Sequence, residues 1–339
     1  MSILIAFLIG MIIILFLGSN PFQAIGFLIK GAFGSTTNLA NTFVRAMPLI
    51  FCGLCTCFAY RCGVFNLGGE GQFLSGAMAA ITVSLLIGSE GWWVTILAII
   101  AGTVVGGLWG LLPGLLKIWR GLNEMITTIM LNYVATLFMG YLYTTALREG
   151  SVPQTAPVPD ATEIGRVIPD LRITWGIVIA LVLGIMLWYF LFYTSKGFKL
   201  RAVGFNQTAS SFNGLSVKRY MLSAFIISGA IAGLGGACDI LGTQFRLISG
   251  YGSGYGFDGV AIALIAQLHP LATMIVAYFF AVLRVGSTTM QVGTGVPTSV
   301  IDIIQALVII FAVAGSSMLY LPKIRAILFN LFEKKEAVS

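Results

Sequence analysis

The sequence predicts an all-α polytopic membrane protein with about ten transmembrane helices, some of them broken into half-helices. Three observations carry that prediction. Hydrophobic residues make up 58% of the 339 residues and charged residues only 9%, where a soluble domain carries roughly a quarter. Mean hydropathy is +0.97. The 19 basic and 12 acidic residues cluster, and most of the uncharged runs between them match the roughly 20 apolar residues of a bilayer-crossing helix. A water-soluble enzyme is thereby excluded.

In chain order, residues 3–18 form the first apolar run. No basic residue precedes it, so it reads as a membrane helix and not as a cleaved signal peptide. A softer segment follows to Arg45. The run 46–60 is closed by Arg61, and the glycine-rich stretch 63–71 leads into the run 72–88. Runs 92–116 and 124–147 flank a basic turn at 117–123. Run 174–193 follows a polar loop and run 220–241 a basic one. Runs 260–268, 271–283 and 299–314 complete the set, and a basic tail begins at Lys323.

Lys and Arg asymmetry sets the orientation. Segments 117–123, 195–219 and 323–339 hold 11 of the 19 basic residues. Loop 148–172 instead sets Arg148, Arg166 and Arg172 against Glu149, Asp160, Glu163 and Asp170. Its prolines, Pro153, Pro157, Pro159 and Pro169, predict an ordered external cap with little helix. Ten crossings place every basic loop and both termini in the cytoplasm. The net charge of +7 belongs to these loops; no basic face is interleaved with aromatics, so nucleic acid is not an expected partner.

Run 260–268 would be about 14 Å long as a helix, too short to span, and His269-Pro270 interrupts it. Short, glycine- or proline-broken segments mark half-helices enclosed by protein, because free backbone groups cannot face lipid. VFNLGGEGQFLSGAMAA (64–80) and GFDGVAIALIAQLHPLA (256–272) share a Phe–Asn/Asp start, then glycine, then a small-residue helix. Their opposite crossing directions fit an inverted repeat, and a chance likeness of two glycine-rich stretches fits them too.

The chemistry-bearing residues are few. One histidine and no nucleophile–base or metal constellation leave no active site. Cys52 and Cys55 form a C-x-x-C, but with Cys57 and Cys62 in the same apolar stretch and no histidine nearby they read as packed thiols. Leu67–Gln72, LGGEGQ, looks like an ABC ATPase signature loop, yet no P-loop lies upstream. Glu70 lies in a glycine-rich break and Asp258 in the equivalent place of the second copy. Each is either a helix cap at a solvated end or a functional group in a membrane pathway. Asn123-Glu124 reads as a helix start, whereas Asn132 stands eight residues into a span, where an amide needs a partner or a water-filled path. Asp239 and Asp302 read as structural groups near helix ends. In the loop 194–220, residues Asn206–Asn213 can form a short helix opened by Asn206 and stopped by Gly214, with Phe212 as an apolar knob. Such a helix suits docking to a motor subunit; the plainer reading is a positive-inside loop.

Four segments together resemble permease subunits of bacterial ABC importers, in the nucleoside branch of the family that also holds simple-sugar and branched-chain amino-acid permeases. They are GVFNLGGEGQFLSGAMAA (63–80), GLNEMITTIMLNYVA (121–135), LRAVGFNQTASSFNGLSVKR (200–219) and GYGFDGVAIALIAQLHPLA (254–272). The resemblance runs in order over about residues 42–315. It implies a type II importer fold as one transmembrane permease domain in the bacterial cell membrane. It also implies a second homologous permease, a cytoplasmic ATPase that holds ATP and magnesium, and an external substrate-binding lipoprotein. No cofactor is expected in this chain. The coupling helix then falls on Asn206, Gln207, Ser210, Phe212, Asn213 and Gly214; relatives tend to carry Pro-Glu-Ala where this chain has Gln207-Thr208-Ala209. A nucleoside path should offer aromatic faces and amides with little charge, which points to Phe65, Asn66, Glu70, Asn132, Phe257 and Asp258. A simple-sugar or branched-chain amino-acid permease is the alternative, and an ion-coupled secondary transporter using Glu70 and Asp258 is a third reading.

Overall fold

The computed structural model describes residues 2–88, 91–168 and 171–318, and the basic tail from Lys323 lies outside them. The described chain is helical apart from three isolated antiparallel bridges. Its helices are α1 (Ser2–Phe16), α2 (Pro21–Phe33), α3 (Thr36–Arg61), α4 (Gly69–Ile87), α5 (Trp92–Arg120), α6 (Glu124–Tyr141), α7 (Trp175–Tyr193), α8 (Ser195–Phe205), α9 (Gln207–Phe212), α10 (Val217–Asp239), α11 (Tyr255–Ile265), α12 (Pro270–Thr294) and α13 (Ser299–Met318). Single π-turns prolong α6 through Ala146 and α10 through Gln244.

Among the described residues seven helices are long and apolar enough to cross a membrane alone: α3, α4, α5, α7, α12, and α6 and α10 with their π-turns. The pair α1–α2, bent by 116°, would make an eighth. The sequence predicts about ten. The difference lies in α11, whose 11 residues reach only about 16 Å, and in α13, whose described apolar part is Ser299–Ala314. Two boundaries also differ. The soft segment before Arg45 is helical, forming α2 and the first turns of α3, and α11 starts at Tyr255 instead of residue 260.

The described residues divide into two compact units, 32–282 and a smaller one of 2–31 with 283–318. In the smaller unit the Ser19 hydroxyl donates to the Thr294 carbonyl at 3.3 Å. Gly286 of α12 lies so close to α2 that a Cβ there would sit 2.5 Å from the Leu28 carbonyl oxygen.

The larger unit is built around α3, whose most apolar stretch is 83% buried, against 33% for α5. Phe51 and Phe58 of α3, Phe73 of α4 and Phe225 of α10 fill its core. Helices α4, α5 and α10 pack through glycine. On α5, Gly102, Gly106, Gly110 and Gly114 recur every fourth residue and so share one face. A Cβ on Gly106 would lie 2.6 Å from both the Gly229 carbonyl oxygen and the Gly233 Cα, and one on Gly102 would lie 2.8 Å from the Gly76 carbonyl oxygen. In lipid, where apolar burial gives helices no reason to associate, such close backbone packing holds them together. The outer faces of α5, α6 and α7 expose Leu108, Leu137 and Met186, as lipid-facing helices do.

Segment 148–172 forms, in its described residues, one 3-10 turn, Asp160–Thr162, and isolated bridges, with no longer helix. It is sewn to the end of α10 by Val158 N–H donating to the Phe245 carbonyl (2.8 Å) and Ile164 N–H to the Leu241 carbonyl (2.9 Å).

Candidate translocation and coupling sites

The two glycine-rich breaks meet. Residues 64–68 are non-helical and α4 begins at Gly69, while α11 begins after Gly254, whose φ of +85° is one that glycine adopts without cost. The Glu70 carboxylate, in the first turn of α4, accepts a hydrogen bond from Gly254 N–H at 3.1 Å. Gly256 lies so near that a Cβ there would sit 2.5 Å from the Glu70 Cβ. Glu70 is thus a cap, but for the helix across the break and not for its own. Both helix starts carry partial positive charge, and Glu70 and Asp258, each in a first turn, place carboxylates against it.

The break before α4 is held by side chains from three helices. Asn132 of α6 accepts from Gly71 N–H at 2.8 Å and donates to the Leu67 carbonyl at 2.9 Å. Thr128 accepts from Leu67 N–H at 3.3 Å. Asn66, fully buried, accepts from Gly68 N–H (2.9 Å) and donates to Gln72 Oε1 and to Ser228 Oγ of α10, both at 3.0 Å. The two amides therefore spend their hydrogen-bonding groups on the protein itself. Gln72, Ser228 and Thr128, which complete this network, were not legible as site residues. The only local signal is polar groups recurring within small-residue helices.

The aromatics behave differently. Phe65 is 45% exposed, edge-on to Tyr60 with ring centres 5.1 Å apart, and Phe257 is 48% exposed. Behind them Phe73 stacks on Tyr251 at 6.0 Å and meets Tyr255 edge-on at 5.7 Å, and Arg45 Nη1 donates to the Tyr255 hydroxyl at 3.3 Å. Asp239 is buried at the end of α10, and Asp302 is exposed in the first turn of α13. All five cysteines are buried and unpaired.

The short helix α9 forms where the sequence predicts it. The Asn206 side chain accepts from Ala209 N–H at 2.9 Å, and Asn213 Nδ2 donates to the Ala209 carbonyl at 2.8 Å. Gly214, with φ of +76°, ends it. Ser210 is buried and anchors the helix, whereas Phe212 is 87% exposed. Gln207, Thr208 and Ser211 line a cavity of about 370 Å³ together with Lys117 of α5 and Lys218 of α10. Lys117 is paired with Glu124 at 2.5 Å, and Asn123 caps α6 by accepting from Met125 N–H.

A family profile described as the permease component of branched-chain amino acid transport systems matches residues 38–313. The chain is 34% identical to the guanosine ABC transporter permease protein NupP of Bacillus subtilis, over 93% of this chain and 92% of that protein. It is 31% identical to the nucleoside ABC transporter permease protein NupB of Lactococcus lactis, over 99% and 95%. It is 32% identical to the glucose ABC transporter permease protein TsgB13 of Haloferax volcanii, over 93% and 86%. No solved structure matches it significantly. With the family profile covering both helix breaks and α9, the chain belongs to the branched-chain amino acid transport system permease family and is a membrane-embedded permease subunit of an ABC importer.

Proposed function

We propose that this permease imports nucleosides. The observation that carries the reading is near full-length similarity to two permeases named for guanosine and nucleoside transport. The site is compatible with it, since exposed Phe65 and Phe257 offer stacking faces beside the joined helix starts. In this reading a second homologous permease supplies the other wall of the path and an external binding lipoprotein delivers substrate. A cytoplasmic ATPase, holding ATP and magnesium, drives alternating access. Ten crossings, both termini cytoplasmic and an inverted repeat centred on the meeting of α4 and α11 complete the proposal; loop 148–172 is then external and 195–219 cytoplasmic.

In that arrangement α9 transmits ATPase closure to the spans. Ser210 fixes it to the membrane part while Phe212 projects toward the motor. The joined starts of α4 and α11 form the moving seam, because few side chains would need to break there. The glycine-packed α4–α5–α10 group moves as one piece. Glucose transport is the second reading, favoured by the similarity to TsgB13. Copurification from membranes followed by ATPase assay decides between them. Guanosine and other nucleosides should stimulate hydrolysis, with glucose, pentoses and branched-chain amino acids inert. Stimulation by glucose alone would overturn the nucleoside reading, and uptake driven by an ion gradient without an ATPase would overturn the coupling scheme.

A further inference from the structure

Three side chains from separate elements gather around the Phe192 ring where α3, α7 and α8 meet. Arg61 closes α3, Phe192 stands near the end of α7, Arg201 lies on α8 and His269 precedes α12. The guanidinium carbons of Arg61 and Arg201 lie 5.4 Å and 4.9 Å from the Phe192 ring centre, and the His269 ring centre lies 5.2 Å from it. Glycines bring the elements this close: Gly197 of α8 lies against the backbone of Phe190 and Leu191, and Gly204 against that of Arg61.

The two arginines are satisfied unequally. Arg61 Nε donates to the Leu268 carbonyl at 2.7 Å and its Nη2 to the Gln267 carbonyl at 3.3 Å. Arg201 Nε is buried with no hydrogen-bond partner. Neither guanidinium is ion-paired with a carboxylate among the described residues. Cation–π attraction to Phe192 offsets part of the cost of holding two like charges together, but leaves N–H donors without acceptors. Arg201 as a whole is only half-buried, so an anion can reach its guanidinium and supply acceptors.

The surroundings say which anion. Helix α8 buries Gly197, Leu200 and Val203 and exposes Lys196, Phe198, Lys199 and Phe205. It follows directly on a span whose last turns expose Tyr189 and Tyr193. A helix exposing lysines and phenylalanines together beside an aromatic belt lies at headgroup depth, where the resident anion is a lipid phosphate. We propose that Arg61 and Arg201, gathered on Phe192 beside His269, bind the phosphate group of an anionic phospholipid. The guanidinium forks match the phosphate oxygens, and the bound lipid ties α3 and α7 to the segment that leads into α9.

His269 is the only histidine in the chain, so one imidazole signal reports on the site. Burial, and after it the charge of Arg61, hold its pKa below the usual value; an anion on the arginines offsets the second cause. The full chain is placed in nanodiscs of phosphatidylcholine, with or without phosphatidylglycerol, and His269 is titrated by NMR. Phosphatidylglycerol should raise the His269 midpoint more in wild type than in Arg201→Gln, which keeps the structural bonds of Arg61. Lys196→Gln with Lys199→Gln should behave as wild type. Native mass spectrometry should show phosphatidylglycerol retained several-fold more by wild type than by Arg201→Gln. An equal rise in both proteins would reduce the effect to surface potential and overturn the site. An equal rise with inorganic phosphate in phosphatidylcholine discs would overturn the lipid as its source.

Discussion

The two helix breaks solve the same problem in opposite ways. The break before α4 is clamped by side chains: Asn66, Thr128 and Asn132 answer its backbone groups, and Gln72 and Ser228 hold the Asn66 amide, so its shape is fixed by a largely buried network. The break before α11 turns on glycines, with positive φ at Gly250, Gly252 and Gly254, and its helix start leans on one carboxylate from across the seam. A fully satisfied polar network is costly to rearrange, whereas the start of α11 rests on one half-buried carboxylate. In the proposed transport cycle the first break is the fixed side of the seam and the second the side expected to move.

The largest expected effect comes from breaking the clamp. Asn132→Leu leaves the buried Gly71 N–H without a partner, at about 1–3 kcal/mol, and also strips the half-buried Leu67 carbonyl of its donor. Thermal unfolding in detergent should shift clearly downward and assembly with partner subunits should fall. Unchanged stability would mean that water enters the break and that Asn132 faces a wet path. Gly256→Leu should come next, because its side chain would collide with Glu70. Overpacking of this kind costs about 1–3 kcal/mol and should abolish uptake at reduced but measurable assembly.

Glu70→Gln is milder and sharper. The amide oxygen can still accept from Gly254 N–H, so only the charge facing the helix start is lost, about 0.3–1 kcal/mol. Uptake should change by no more than about fivefold by that energy. Loss of uptake with normal assembly would give the carboxylate a transport role and revive the ion-coupled reading. Phe212→Asp should be smallest in stability, since that side chain is 87% exposed, yet it should uncouple ATP hydrolysis from uptake. Coupled transport at the wild-type ratio would return α9 to an ordinary connecting loop.

Which of these features were legible in the sequence follows from distance along the chain. The cap Asn206 and the stop Gly214 sit within nine residues of each other, and α9 was readable from them. The glycine runs announced both breaks for the same reason. The partners of the break were not readable, because Asn132 is 61 residues from Gly71 and Asn66 is 162 from Ser228. The early start of α11 escaped detection because GYGFDG favours a turn until Glu70, 184 residues away, caps it. The crossing count differed at α11, which is too short to span alone, since composition marks an apolar run without telling whether it ends at mid-depth, and at α13, which runs to the end of the described residues.

The central claim is that the seam between α4 and α11 lies on a nucleoside path, and Phe257→Cys tests it most directly. The five native cysteines are buried, so the unmodified chain is a quiet background for thiol labelling, and Phe257 is 48% exposed. In the reconstituted importer, guanosine should slow modification of this cysteine by a small maleimide several-fold, while glucose should not. Labelling at the same rate with every substrate, in a complex that still transports, would remove the seam from the path.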